Sequence, residues 1–205
     1  MSAIALILAP SVLTPTGLLL VFWVAVAVLI VALCQSFGLG LLYQGEAAIT
    51  LAKQDRMLIL TASREVPVSA ARAWEVMVDH PRYADVADNL SSVEVLEGDG
   101  EGMCRRCTAK PGEVWTETAH LYEEGKRYGF TVHTKAEDYP YPFDRLRGEW
   151  EVAPINEARS RVLMRFEITP ESGLKGAIIR AVMGQRVAPM VDRLLRRWEG
   201  MMAET

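Results

Sequence analysis

The sequence predicts an α+β fold: a curved antiparallel sheet wrapped around one long C-terminal helix, preceded by an N-terminal transmembrane helix. Three observations predict it. Met1 to Gly45 contains no Asp, Glu, Lys, Arg or His, so all 22 Lys and Arg and all 26 acidic residues of the 205 lie beyond it. From Asn89 to Ile168 apolar residues recur with a period of two, broken by turn pairs. From Leu174 to Met202 the apolar spacing is helical.

The first segment reads as a membrane anchor over residues 1–45. Within it, Gly17 to Leu42 is apolar except for Cys34, Gln35 and Ser36, and a bilayer core needs about 20 apolar residues as helix. Trp23 and Tyr43 suit the two interfaces. No Lys or Arg precedes the run and its core is long, unlike a cleaved signal peptide. Bulky Leu33 before Cys34 argues against a lipidated cysteine. The stretch before the span is broken by Pro10 and Pro15, which leaves an interfacial segment and a second short span both open. Lys53, Arg56 and Arg64 follow the span, so the positive-inside rule puts the remaining domain in the cytoplasm, on a single-pass membrane protein.

Residues 46–57 read as a polar connector with helical character. A strand follows at Leu58 to Val66. In "PVSAARAWEVMVD" Ser69 is an N-cap, and Ala70, Ala73, Trp74 and Met77 make one apolar helical face. Pro81 ends this helix and suits the first turn of a short second one running through Val86. Asp99-Gly100, Pro111-Gly112 and Glu124-Gly125 then divide four strands of a meander. Two more strands lie near Leu146 to Val152 and Arg161 to Ile168. In the last helix Gly184 interrupts the pattern, and Pro189 should kink or split it.

In this order "VPVSAARAWEVMVDHPRYADV", "SVEVLEGDGEGMCRR", "GEVWTE" and "VAPMVDRLLRRWE" resemble the START-like, or helix-grip (SRPBCC), superfamily, in its polyketide cyclase and coenzyme Q-binding-like branch. The resemblance covers about Leu58 to Met202, the domain placed at residues 58–205. It implies a hydrophobic cavity between sheet and long helix. It implies no shared catalytic set.

Sequence motifs narrow the chemistry. No His or Cys/His cluster, phosphate loop or dinucleotide glycine motif occurs, so neither a metal site nor a cofactor is expected. Net charge −4 argues against nucleic acid. In "DHPRY", Asp79 or His80 is expected to cap the second short helix, with Tyr83 packed under the sheet edge. Cys104 and Cys107 fall on one strand at an odd offset, hence on opposite faces and too far apart for a disulfide.

Turn positions give strand parity, and parity gives the inner face. With two-residue turns at the three signals, Val93, Val95, Cys104, Arg106, Thr108, Trp115, Glu117, Ala119, Leu121, Tyr128, Phe130 and Val132 face inward. Leu146, Gly148, Trp150 and Val152 then meet Val162, Met164, Phe166 and Ile168. Arg106 and Glu117 become cross-strand neighbours on an apolar face, where a lone charge is costly. They read as a structural salt bridge, as a pair split by a one-residue bulge, or as a polar spot for a ligand oxygen. The ligand-binding set is Arg106, Trp115, Glu117, Tyr128, Phe130 and Trp150, with no catalytic residue named. The function expected is binding or transfer of a hydrophobic small molecule, a lipid or isoprenoid quinone, drawn from the membrane. A polyketide cyclase or dehydratase-like enzyme is disfavoured, because Arg does not titrate usefully. A membrane-bound interaction module without ligand also stays open. "GLKGAIIRAVMG" reads either as the core face of the long helix or as a basic, apolar membrane contact.

Overall fold

The structure is a computed structural model and describes residues 47–204. The anchor expected over residues 17–42 lies outside them. Among the described residues no helix is long and apolar enough to cross a membrane.

In chain order the elements are β1 (Ala48–Gln54), β2 (Met57–Val66), α1 (Ala70–Met77), α2 (Tyr83–Val86), β3 (Leu90–Glu97), β4 (Cys104–Ala109), β5 (Val114–Glu123), β6 (Arg127–Val132), β7 (Phe143–Asn156), β8 (Arg159–Pro170) and α3 (Leu174–Ala203). The strands form one antiparallel sheet in the order β1-β2-β8-β7-β6-β5-β4-β3. α1 and α2 follow β2, and the chain then re-enters the sheet at the opposite edge. The sheet is long and curved, and α3 buries Met183, Val191, Leu194, Leu195, Trp198, Met201 and Met202 against it.

Most elements form for the reasons the sequence gives. The Ser69 hydroxyl accepts from the Arg72 amide at 3.2 Å and starts α1. Leu146, Gly148, Trp150 and Val152 oppose Ile168, Phe166, Met164 and Val162 as parity requires. Pro189 lies inside α3 without dividing it.

Two expectations fail. The connector is a strand: β1 pairs with β2 through a tight turn at Asp55 and Arg56, with Asp55 at φ 52°. Ile49 and Leu51, two apart, turn toward the core, an alternation that its alanines and charges obscure. The cap of α2 is Arg82, which makes no side-chain capping bond, so neither Asp79 nor His80 serves there.

Candidate functional site

The site depends on one turn. β4 and β5 are joined by three residues, Lys110 to Gly112: the Ala109 amide donates to the Glu113 carbonyl at 2.7 Å, and Gly112 takes φ 108°. A three-residue hairpin places its glycine in a positive-φ position and shifts pairing by one residue relative to a two-residue turn. Glu117 therefore opposes Arg105, not Arg106. The slip turns the whole of β4 over. Arg105, Cys107 and Ala109 point into the core. Arg106 points to solvent and pairs with Glu94 at 3.0 Å, so the sequence-based assignment of Arg106 to the inner face is wrong. Cys104 and Thr108, turned the other way, are half-buried, while Val95, near the end of the edge strand β3, is exposed although it lies opposite Arg105. The β5–β6 hairpin also has three residues, with Glu123 opposite Arg127. An irregularity between Ala119 and Leu121 restores the expected Ala119–Phe130 and Glu117–Val132 pairs, while Tyr122 replaces Leu121 opposite Tyr128.

Arg105 has no solvent exposure. Its Nε donates to Glu117 Oε2 at 2.8 Å, and its Nη2 lies 2.6 Å from the same oxygen without an aligned hydrogen bond. Its Nη1 is 3.2 Å from His80 Nδ1. The other carboxylate oxygen, Oε1, accepts from the Trp115 indole at 2.8 Å. Rings surround the guanidinium: its carbon is 4.7 Å from the Phe130 centroid, 5.2 Å from Trp150, 5.5 Å from Tyr83 and 5.6 Å from Tyr128. Cation–π attraction adds to the ion pair in such a box.

This environment determines the protonation states. Burial, then the neighbouring Arg105 charge, pushes His80 down to about 3, so the imidazole is neutral and its Nδ1 accepts from Arg105. Burial raises the Tyr83 and Tyr128 phenols and the Cys107 thiol well above their ordinary values. Burial works against the Arg105 charge, yet Glu117 holds its pKa above the usual value.

Above this group a cavity of about 380 Å³ separates the sheet from α3. Phe130, Val132, Leu146, Phe166 and Ile168 line it from the sheet, and Met183, Val187, Met190, Val191 and Leu194 from α3. Tyr139, Tyr141 and Phe143 lie along the segment entering β7, with Tyr141 packed against Trp115 at 5.6 Å and Tyr139 at 5.8 Å. Arg105 and Glu117 are the charged residues of the lining. Among the described residues no three His, Cys, Asp or Glu stand close enough to hold a metal ion.

An apolar cavity between a curved antiparallel sheet and a long C-terminal helix is what a family match explains. Residues 57–199 match the family described as polyketide cyclase / dehydrase and lipid transport. The chain belongs to that family. Solved structures agree on the fold. A Zhui aromatase/cyclase from Streptomyces sp. R1128 is 18% identical, with 68% of this chain and 93% of that chain covered at a TM-score of 0.53. A START superfamily protein from Mycobacterium smegmatis is 12% identical, covering 70% and 98% at 0.55. Norcoclaurine synthase from Thalictrum flavum, in complex with dopamine and hydroxybenzaldehyde, is 14% identical, covering 73% and 89% at 0.52. No curated protein matches.

Within this polyketide cyclase and lipid transport fold, three of the sequence-predicted site residues, Trp115, Glu117 and Phe130, line the cavity. Tyr128 and Trp150 are fully buried behind it and stack on Arg105. Arg106 lies outside. Sequence reasoning missed Arg105, His80 and Tyr83. Arg105 was one residue from the expected position and hidden by turn length alone. His80 sits in "DHPRY", where an acid–imidazole pair draws attention to Asp79, yet the buried contact is with a cation from β4. Tyr83 packs on Trp150 at 4.9 Å and Trp198 at 5.7 Å, against the middle of the sheet and not under its edge.

Proposed function

We propose that residues 17–42 anchor the chain in a membrane, and that this domain binds an apolar small molecule, of the lipid or isoprenoid-quinone class, between its sheet and α3 and exchanges it with that membrane. The observation that carries the reading is the cavity of about 380 Å³, lined mostly by apolar and aromatic side chains, with Arg105 and Glu117 its charged residues and Asn89 a further polar one. Ligand sites are commonly apolar pockets of about 300–1,000 Å³ with a few placed polar groups.

Membrane exchange has support from α3. Leu174, Ile178 and Val182 recur every four residues and are 78%, 53% and 43% exposed, so they are not core. Lys175, Arg180 and Arg186 lie among them, and no acidic residue falls between Ser172 and Val191. Such a face suits an anionic bilayer surface. Met183 and Val187, in the same half of the helix, line the cavity. Exposed Lys53 and Arg56 on the β1–β2 hairpin are consistent with a cytoplasmic domain.

An enzymatic reading has less to draw on. His80 is neutral and already faces Arg105, and both Glu117 oxygens have partners, so neither is a free acid or base. The test is mass spectrometry of an apolar extract from the full chain purified in detergent. A stoichiometric apolar molecule is expected in the wild type and its loss in Val187→Trp, which fills the cavity. Equal retention by both, or nothing above the detergent blank, would sink the reading.

A further inference from the structure

We infer that the cavity selects a molecule whose buried oxygen is an uncharged hydrogen-bond acceptor, a ketone or quinone carbonyl, over one carrying a carboxylate or phosphate. This rests on the apolar-ligand reading above and specifies the chemistry of the ligand's polar end.

The argument is one of charge. Arg105 is the only cation among the lining residues, and it is already neutralised by Glu117, its ion-pair partner at 2.6 Å. Both side chains are essentially solvent-free. The groups around them add no positive charge: Tyr83 and Tyr128 are phenols, Trp115 an indole, and Phe130 and Trp150 rings. His80, on the far side of the guanidinium, is neutral as well. An anionic oxygen would therefore bring an unpaired charge into a site walled by aromatic rings, where its lost hydration is not repaid. It could take the guanidinium only by stranding Glu117, which Trp115 holds in place. A neutral carbonyl brings no such charge.

The hydrogen-bond inventory asks for an acceptor. Arginine carries five N–H donors and no acceptor. Nε is engaged by Glu117 and Nη1 by His80, while Nη2, buried and 2.6 Å from Glu117 Oε2, makes no aligned hydrogen bond. Both oxygens of Glu117 already accept. At this group what is left for a ligand is a donor, and the other polar side chains of the lining, Asn89 and the tyrosine hydroxyls, can donate as well. The volume limits the rest: about 380 Å³ is the share of roughly a dozen liquid waters, room for a fused ring system or one chain segment rather than two acyl chains.

A matched pair of probes tests this. 2-Acetonaphthone and 2-naphthoate share their rings and differ at one substituent, a neutral ketone against a carboxylate. Binding of each to the full chain in detergent is measured by equilibrium dialysis at about pH 7.5, with uptake by empty micelles subtracted. The ketone is expected to bind at least about tenfold more tightly. Glu117→Gln leaves Arg105 unneutralised and is expected to shift the ratio toward naphthoate by at least about tenfold. Naphthoate binding to the wild type as tightly as the ketone, or more tightly, overturns the inference and leaves the cavity reading intact. Neither probe binding above empty micelles defeats the cavity reading and this inference with it. The wild-type comparison needs no variant, so it decides even where Glu117→Gln fails to fold.

Discussion

At the scale of single residues, Arg105 and Arg106 are adjacent, chemically identical and opposite in consequence. Arg105→Met removes the partner of a buried carboxylate and is expected to destabilise the fold by about 3–5 kcal/mol. Arg106→Met breaks an exposed pair with Glu94, for which less than about 1 kcal/mol is expected. Equal effects in urea unfolding would mean that the β4 register is wrong. His80 gives this cluster a pH dependence. Its folded pKa of about 3 lies below the ordinary 6.5, so the unfolded chain binds a proton that the folded one refuses. Stability is complete above pH 6.5 and falls as pH drops through the interval down to about 3. Between about pH 7.5 and 5 the loss attributable to His80 is about 2 kcal/mol. His80→Asn should lose less than the wild type over that interval, because Asn does not titrate. Parallel pH profiles for the two would show that His80 is protonated, or exposed, in the folded chain.

At the scale of elements, sheet register and glycine placement shape the site. Gly148 on β7 lies under Phe130: a Cβ there would come within 2.4 Å of the ring carbon Cζ. The missing side chain lets Phe130 lie down against the sheet as the cavity floor. Gly148→Ala is expected to force the ring upward, costing about 1–3 kcal/mol and reducing occupancy by any bound apolar molecule. Gly148→Ala with Phe130→Leu should recover part of both. Unchanged stability and retention in the single variant would mean that the ring has room to move elsewhere. The same scale explains what was legible in advance. β7 and β8 were readable because matching the apolar alternation of the two strands to each other, with no turn assumed, gives the central pairs from Leu146–Ile168 to Val152–Val162; the register shifts fall outside them, between Phe143 and Arg145 and between Pro154 and Asn156. β4 was not, since "AKPGE" closes equally well in sequence as a two- or a three-residue turn. β5 and β6 came out half right: a second three-residue turn shifted the outer pairs, and the irregularity near His120 shifted the inner ones back.

At the scale of the whole molecule, the described fold begins with the edge strand β1 at Ala48 and its hydrophobic core is contained in residues 47–202. A chain lacking residues 1–45 is thus expected to unfold cooperatively, with near-ultraviolet circular dichroism of packed Trp150 and Trp198. Aggregation without a cooperative transition would mean that the first segment is part of the folding unit. The sequence by itself determined the division of the chain into an uncharged first segment and a charged domain, the order of most elements, the family resemblance and the apolar inner face. These follow from composition and periodicity, which are local and survive any choice of turn length. Only the tertiary structure decided which arginine is buried, that His80 and Tyr83 gather on it from α2 and the turn before it, and that a space remains between the sheet and α3. Side-chain facing is a parity, and parity is reversed by one extra loop residue. A cavity is the difference between the volume that the backbone encloses and the volume that side chains fill, and neither quantity is written at any one position.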